Sequence, residues 1–329
     1  MFYFSVLCPP PRKFTHKKHN HNIRVNDKML YYRNILKIPG FATNDASYST
    51  LTTYSFFPYF CIMYLEFLSL ASGSSGNCYY LGNSHAGILI DAGLCVRKMR
   101  KRLKDAGIEL SNVVGVFITH DHVDHARNAA VLSEKYNIPV YTTELIHTGI
   151  EQSYLIRDKI YTSKRIIEKD VPFKLFDFTI TAFDVPHDGF DNVGYHISHN
   201  DIQIVFVTDL GHIPDSAAEY LRLADYLILE ANYDREMLET GPYHYLLKKR
   251  ISGTNGHLCN DQAADFLAEN HSSHLKHVFL CHLSRENNRP DLAYETVRAR
   301  LARENIVVGQ DLQLTVLRRT APTGVYVFE

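Results

Sequence analysis

Apolar residues in this chain fall into short runs separated by glycine, proline and polar clusters, and from about residue 64 onward those runs change type in a regular order. Tyr64 to Ala71, Asn77 to Leu81 and Gly87 to Asp91 are β-rich stretches divided by glycine turns. Val96 to Ala106 has helical spacing and stops at Gly107, a residue suited to a helix C-terminus. Val113 to Thr119 reads as a buried strand, and His125 to Tyr136 as a helix. Val140 to Thr143, Phe178 to Val185, Val193 to Ile197, Ile202 to Thr208, Tyr226 to Leu229 and Val278 to Cys281 continue as strands. Ala217 to Leu223, Asp261 to Glu269 and Leu292 to Arg303 read as helices, the last introduced by Pro290. Strands first, then strands alternating with helices, predict an α/β (α+β) chain folded as an αββα sandwich, two mixed sheets face to face with helices outside.

Residues 1 to 62 lack this pattern. Pro9-Pro10-Pro11, the basic polar stretch Lys13 to Arg24 and the Ser/Thr/Tyr-rich Asn44 to Tyr54 have neither helical nor strand periodicity, which predicts a disordered N-terminal extension. Phe2 to Leu7 is apolar before any basic residue and is cut by prolines, unlike a signal peptide. The apolar stretch Tyr54 to Leu65 contains Pro58 and is followed by Glu66, too short to span a bilayer, so no membrane partner is expected. Met63 opens the first patterned strand. The expectation is that Met63 is the true start and that residues 63 to 329 form one hydrolase domain.

Composition narrows the partners. The chain has 329 residues, 45% hydrophobic and 22% charged, with a net charge of −1. No global basic field advertises nucleic acid, so any polyanion has to be bound locally. The six cysteines, Cys8, Cys61, Cys78, Cys95, Cys259 and Cys281, contain no C-x-x-C pair. That argues against a disulfide framework or a thiolate zinc site, and a reducing cytoplasm is the simplest compartment.

The chemistry is concentrated after the strand Val113 to Ile118, where Thr119-His120-Asp121-His122-Val123-Asp124-His125 packs three imidazoles and two carboxylates into seven residues. His120 and His122, two apart on a turn leaving a strand, can reach one cation while Asp124 and His125 point towards a second. A closely spaced pair of cations lowers the pKa of a shared water and clamps the attacking and leaving oxygens of an ester or phosphodiester. Four further strands end in a ligand type: Asp91 after Ile88 to Ile90, His187 after Phe183 to Pro186, Asp209 after Val205 to Thr208, and His282 after Val278 to Cys281. One such residue is usually a cap; four, together with the histidine run, indicate a common rim.

The order Asp91, His120-x-His122-x-Asp124-His125, His187, Asp209, His282 resembles the ligand motifs of the metallo-β-lactamase superfamily. More closely, Leu70 to Tyr80 (LASGSSGNCYY), Val185-Pro186-His187-Asp188, Thr208 to His212, Glu230 to Asp234, Gly256-His257-Leu258 and His282 to Asn288 look like the YycJ (WalJ) family of bacterial metallohydrolases. The resemblance covers residues 63 to 329 and implies a 5′-to-3′ DNA exonuclease. It implies one metal on His120, His122 and His187, a second on Asp124, His125 and His282, and Asp209 bridging. An all nitrogen and oxygen set suits Zn²⁺ or Mn²⁺. Asp91 would orient the histidine run through hydrogen bonds. The family usually has serine where Cys259 stands.

The same residues separate related chemistries. True β-lactamases place cysteine or serine where Asp209 sits, whereas glyoxalase II-like thioesterases keep the aspartate and remain the alternative, beside a small cyclic or nucleotide phosphodiesterase. His257 resembles the non-ligand histidine that meets the scissile phosphate in ribonuclease Z-like enzymes; it would give a proton to the leaving oxygen, with Glu230 holding its ring. Only 47 residues, 210 to 256, separate Asp209 from His257, too few for the inserted domain of ribonuclease J-type enzymes. The implied reaction is in-line attack of a metal-bound hydroxide on a phosphodiester. Ser74, Ser75, Gly76 and Asn77 form a small loop able to cradle a terminal phosphate, and Arg285, Asn287 and Asn288 should ride on the rim and bind substrate phosphate. The basic run Arg97, Lys98, Arg100, Lys101, Arg102, Lys104 lies on an outer helix, where charge is usually solvated.

Overall fold

The structure, a computed structural model, describes residues 64–329. Expectations for residues 1 to 62 and for Met63 lie outside the described residues. The first sheet has seven strands in the order β14-β1-β2-β3-β4-β5-β6, where β1 is Leu65–Ala71, β2 Cys78–Gly82, β3 Gly87–Ile90, β4 Val113–Phe117, β5 Val140–Thr142, β6 Lys164–Ile166 and β14 Thr323–Phe328. The second also has seven, β13-β12-β11-β10-β9-β8-β7: β7 Phe173–Leu175, β8 Phe178–Asp184, β9 Val193–His199, β10 Ile202–Val207, β11 Tyr226–Glu230, β12 His277–Cys281 and β13 Gln313–Val316. Strands β10 to β13 run parallel, as do β3 to β6. Their C-terminal ends therefore face one way, and every ligand expected after a strand arrives at a sheet end.

Large rings from the facing strands fill the space between the sheets. Phe67 of β1 meets Phe279 of β12 at 4.9 Å and Phe206 of β10 at 5.9 Å, and Phe117 of β4 meets Tyr195 of β9 at 5.7 Å. All five rings are buried, and each adds roughly 1.5–3 kcal/mol of burial plus a smaller edge-to-face term. Outside the first sheet lie α1 (Val96–Asp105), α2 (Val123–Ala126), α3 (Ala129–Tyr136) and α4 (Glu144–Gln152). The later helices are α5 (Asp215–Leu221), α6 (Arg235–Thr240), α7 (Tyr245–Ile251), α8 (Asn260–Glu269) and α9 (Pro290–Arg303). Ala217, Leu221, Ala263, Leu267, Val297 and Leu301 of α5, α8 and α9 pack with Val205, Leu227 and Leu280 on the outer face of the second sheet.

The αββα sandwich is as the residue pattern predicts, with one correction of consequence. The helix expected from His125 to Tyr136 is broken: Asn128 leaves helical geometry (φ −111, ψ 9) and its N–H donates to Ala92 O at 2.9 Å. That break leaves Asp124 and His125 on the single turn α2, pinned to the end of β3 rather than carried off on a long helix. Pro290 does begin α9. Among the described residues, no helix is long and apolar enough to cross a membrane.

Candidate metal centre

Six chain segments converge at the strand ends. The ligand atoms of His120, His122 and His187 lie within 4.8 Å of one another, and so do those of Asp124, His125 and His282. Asp209 joins both neighbourhoods, grouping with His120 and His125 on one side and with Glu230, His257 and His282 on the other. Local backbone makes this possible. Asp91 and His282 turn sharply off their strands with φ of 61 and 52, in the left-handed region that non-glycine residues seldom occupy. Gly93 closes the packing: a Cβ there would sit 1.6 Å from the Asp124 carbonyl oxygen, so only glycine admits this approach. The same carbonyl accepts the Asn77 N–H at 2.7 Å.

Two buried carboxylates orient the histidines. Asp91 Oδ1 accepts the Thr119 N–H at 2.9 Å, and its Oδ2 lies 2.6 Å from His125 Nδ1, which leaves His125 Nε2 for the cluster. Glu230 Oε2 accepts the N–H groups of Leu210 (3.1 Å) and Leu258 (2.9 Å). Its Oε1 faces His257 Nδ1 at 2.8 Å and His282 Nδ1 at 2.9 Å. His187 donates from Nδ1 to Gly256 O at 2.7 Å, which turns its Nε2 inward. Each ring is thus fixed through one nitrogen and presents the other.

Burial and charge divide these histidines. Burial, then the neighbouring His125, hold His120 well below the ordinary histidine pKa, and burial keeps His187 down as well. Burial also opposes charge on His125 and His282, but Asp91, Asp209 and Asp124 push His125 up to about 10, and Asp209 leads the groups that raise His282 well above its usual value. Asp209, although buried, is held ionised by His282 and His125. Four buried atoms aimed into the cluster, His120 Nε2, His187 Nε2, Asp209 Oδ2 and His282 Nε2, have no hydrogen-bond partner. Unpaired buried polar atoms cost about 1–3 kcal/mol each, and a divalent cation, which displaces any ring proton facing it, is the group that satisfies them together. The residues present fit a hard or borderline metal, since no thiolate belongs to the cluster.

Other expected residues sit elsewhere. Asn287 and Asn288 do not ride on the rim, because both are buried. Asn288 Nδ2 donates to Ala231 O at 2.9 Å and to Asn260 Oδ1 at 2.8 Å, and Asn287 O accepts the Asp234 N–H at 2.8 Å, so the pair braces the loop after β11. The Asn288 amide is spent on Ala231 O, Asn232 O and Asn260 Oδ1, and the Asn287 amide lies buried with its Nδ2 3.4 Å from Ser284 Oγ, so neither faces a phosphate at the rim. Arg285 is exposed, with Nε 3.4 Å from Glu286. Ser74 and Ser75 are exposed on their turn, but Asn77 is buried. Its Oδ1 takes the Gly73 N–H at 2.7 Å and its Nδ2 lies 2.8 Å from His125 Nε2, so it faces the metal ligands and not a loop cradle.

Two residues at the mouth were not singled out from the sequence. Asp188 Oδ1 lies 3.4 Å from His187 Nε2 and 3.5 Å from His122 Nε2, while its Oδ2 accepts from Arg250 Nε at 2.5 Å. Asp188 stood in view beside His187, but Arg250 comes from α7, a short exposed helix with no buried residue to announce it. Cys259, the departure from the usual serine, caps α8 in its place: its Sγ accepts the Gln262 N–H at 3.5 Å, and Gln262 Oε1 accepts the Cys259 N–H at 3.0 Å.

Two stacked mixed sheets, with a buried nitrogen and oxygen ligand cluster suited to divalent metal at the strand ends, define a metal-dependent hydrolase. A family model described as Beta-lactamase superfamily domain matches residues 87–282. Exodeoxyribonuclease YycJ of Bacillus anthracis is 33% identical over 264 residues, covering 80% of this chain and 99% of its own. Exodeoxyribonuclease WalJ of Streptococcus pneumoniae is 34% identical over 245 residues, 74% of this chain and 91% of its own. The crystal structure of the metallo-β-lactamase fold protein YhfI from Bacillus subtilis superimposes with a TM-score of 0.60 at 16% identity, over 80% of this chain and all (100%) of that one. The chain belongs to the metallo-β-lactamase superfamily, close to its YycJ (WalJ) members.

Proposed function

We propose that residues 63 to 329 form a binuclear phosphodiesterase that degrades DNA from the 5′ end. His120, His122 and His187 would hold one ion and Asp124, His125 and His282 the other, with Asp209 within reach of both groups; Zn²⁺ and Mn²⁺ both suit these donors. Divalent ions there supply an activated water and neutralise charge on the phosphoryl oxygens. The relatives' names, exodeoxyribonucleases at about one-third identity, support DNA as the substrate.

The observation that carries phosphodiester chemistry is His257. Its Nδ1 is committed to Glu230 at 2.8 Å, and its ring is 19% exposed at the mouth of the cluster. Glu230 leads the groups that lift its pKa against the opposing effect of burial. A histidine oriented there by Glu230 donates, in its protonated form, from Nε2 to the leaving 3′-oxygen as water adds to phosphorus and the P–O bond breaks. A thioester would not need this proton, because thiolate leaves readily. Arg250, held at the mouth by Asp188, supplies a cationic group for a terminal phosphate, and the exposed Arg285 and the exposed turn at Ser74 and Ser75 offer further contacts to it.

Purified protein incubated with 5′- and 3′-labelled DNA and RNA, with Mn²⁺, Zn²⁺ or chelator, tests this reading. Early release of the 5′ label as mononucleotide from DNA, abolished by chelator, is expected. Early release of the 3′ label refutes the polarity. Hydrolysis of a glutathione thioester with no nucleotide released in any condition refutes the nuclease.

A further inference from the structure

Helices α1 and α3 leave the ligand-bearing loops side by side. Helix α1 begins three residues after Gly93, and α3 is stitched to the same strand end through Asn128, whose N–H donates to Ala92 O at 2.9 Å. Both pack on the first sheet through Met99, Leu103 and Leu132. Between them runs a groove of about 1030 Å³. Its floor is apolar, from Val96, Leu110, Val113, Val131 and Ile138. Its rim is cationic, with Arg97, Arg100, Lys101 and Lys104 from α1 and Lys135 from α3, against one carboxylate, Glu109.

The cations are mostly uncommitted. Lys101 pairs with Asp105 at 2.6 Å, while Arg97, Arg100, Lys104 and Lys135 have no carboxylate partner among the described residues. Two of them converge on one ring: the Arg100 guanidinium lies 5.7 Å and the Lys135 ammonium 5.9 Å from the centre of Tyr136. In a chain of net charge −1, such a local concentration repels itself until an anion neutralises it. The ten residues of α1 extend about 15 Å, long enough for a few successive phosphates. A basic rim with an aromatic ring and apolar floor is the arrangement that takes a strand with its bases unpaired: backbone on the charges, a base on the ring. A bilayer fits worse, because the floor is recessed between charges and has no protruding apolar side chain to insert.

We propose that this groove holds a single-stranded stretch of nucleic acid outside the active site, its phosphates along Arg97, Arg100, Lys104 and Lys135 and a base against Tyr136. The proposal rests on the nucleic-acid reading of the metal centre and extends it to a surface that carries no metal ligand.

Binding of labelled oligo-thymidine to the full chain in chelator, measured by anisotropy across a salt series, is the test. With Arg97, Arg100, Lys104 and Lys135 all changed to Gln, the slope of log K against log salt should flatten by about 3, four contacts at about 0.7 each. Tyr136→Ala should weaken binding about tenfold with the slope unchanged. Hydrolysis of the small diester bis(p-nitrophenyl) phosphate by the metal-loaded quadruple variant should match the parent, which shows that its fold and metal centre survive. Should that variant fail to fold, Arg100→Gln alone is expected to flatten the slope by about 0.7. An unchanged slope in either variant overturns the proposal, as does loss of binding to phosphatidylserine vesicles with DNA binding intact. If the parent protein fails to degrade DNA with any metal while the slope still depends on these side chains, the nuclease reading falls and the groove stands.

Discussion

Asp91 and Glu230 are both buried carboxylates that hold a histidine through Nδ1, yet they organise the centre in different ways. Asp91 serves one contiguous segment: Thr119 and His125, both within the histidine run of the first sheet. Glu230 ties together residues from three separate loops, accepting from Leu210 and Leu258 and facing His257 and His282, so it is the joint of the second sheet's side. One half of the centre is therefore local in sequence and stiff by itself. The other exists only because the second sheet brings distant loops to one carboxylate.

Asp209 belongs to both halves, and its removal should have the largest effect. Asp209→Ala is expected to lower hydrolysis by about ten-thousandfold or more and to cut metal content below that of the parent, while circular dichroism shows an intact fold, because the aromatic sandwich does not rest on the site. Wild-type turnover in that variant would break the idea of a shared ligand. His257→Ala should cost about a hundredfold to ten-thousandfold in rate on DNA with metal content unchanged. Loss of metal with His257 would make it a ligand and not a proton donor.

The two carboxylates can then be compared directly. Asp91→Asn and Glu230→Gln should each reduce metal affinity or rate by about tenfold to a hundredfold. The difference lies in what they reduce. Elemental analysis should find Asp91→Asn defective chiefly in metal content, whereas Glu230→Gln should also narrow the pH range of activity through His257. Identical profiles for the two variants would erase the distinction.

A control sits at the other end of β12. His277 has no carboxylate at its ring: its Nε2 lies 2.9 Å from Thr315 Oγ1, and it stacks on Phe279 at 4.0 Å. Burial lowers its pKa from 6.5 to about 4, the opposite direction from His282. The unfolded chain thus binds the proton more tightly, so this contribution is complete above pH 6.5 and is lost as pH falls from 6.5 towards 4. Allowing for its partial exposure, the loss is about 2 kcal/mol. Urea unfolding of His277→Gln in chelator should show a correspondingly flatter pH dependence than the parent; parallel curves would refute it.

This division also explains what could be read from the sequence. The histidine run was legible because a whole half of the centre lies within seven residues, and the strand-end ligands because each follows an apolar run. The sandwich followed from strand patterning. Helix α4, whose N-cap Thr143 accepts the Ile146 N–H at 3.3 Å, and the strands β6, β7, β13 and β14 were passed over. The edge strands β6 and β7 are three residues long and largely exposed, so they carry no alternation to detect. Asn287 and Asn288 were misplaced because following a ligand in sequence does not put a residue on the rim: their loop folds back under β11. Arg250 was missed for the complementary reason, since only tertiary packing delivers α7 to Asp188.

The left-handed backbone at Asp91 and His282 is strain that the surrounding contacts hold in place. Non-glycine residues in that conformation cost on the order of 1 kcal/mol each. Glycine would relieve it, but at Asp91 it would strip the buried Thr119 N–H and His125 Nδ1 of their acceptor, and at His282 it would leave Asp209 and Glu230 without a shared partner, at about 1–3 kcal/mol for each buried group left unpaired. Selection for thermal resilience alone, with no demand for turnover, would therefore not carry either position to glycine.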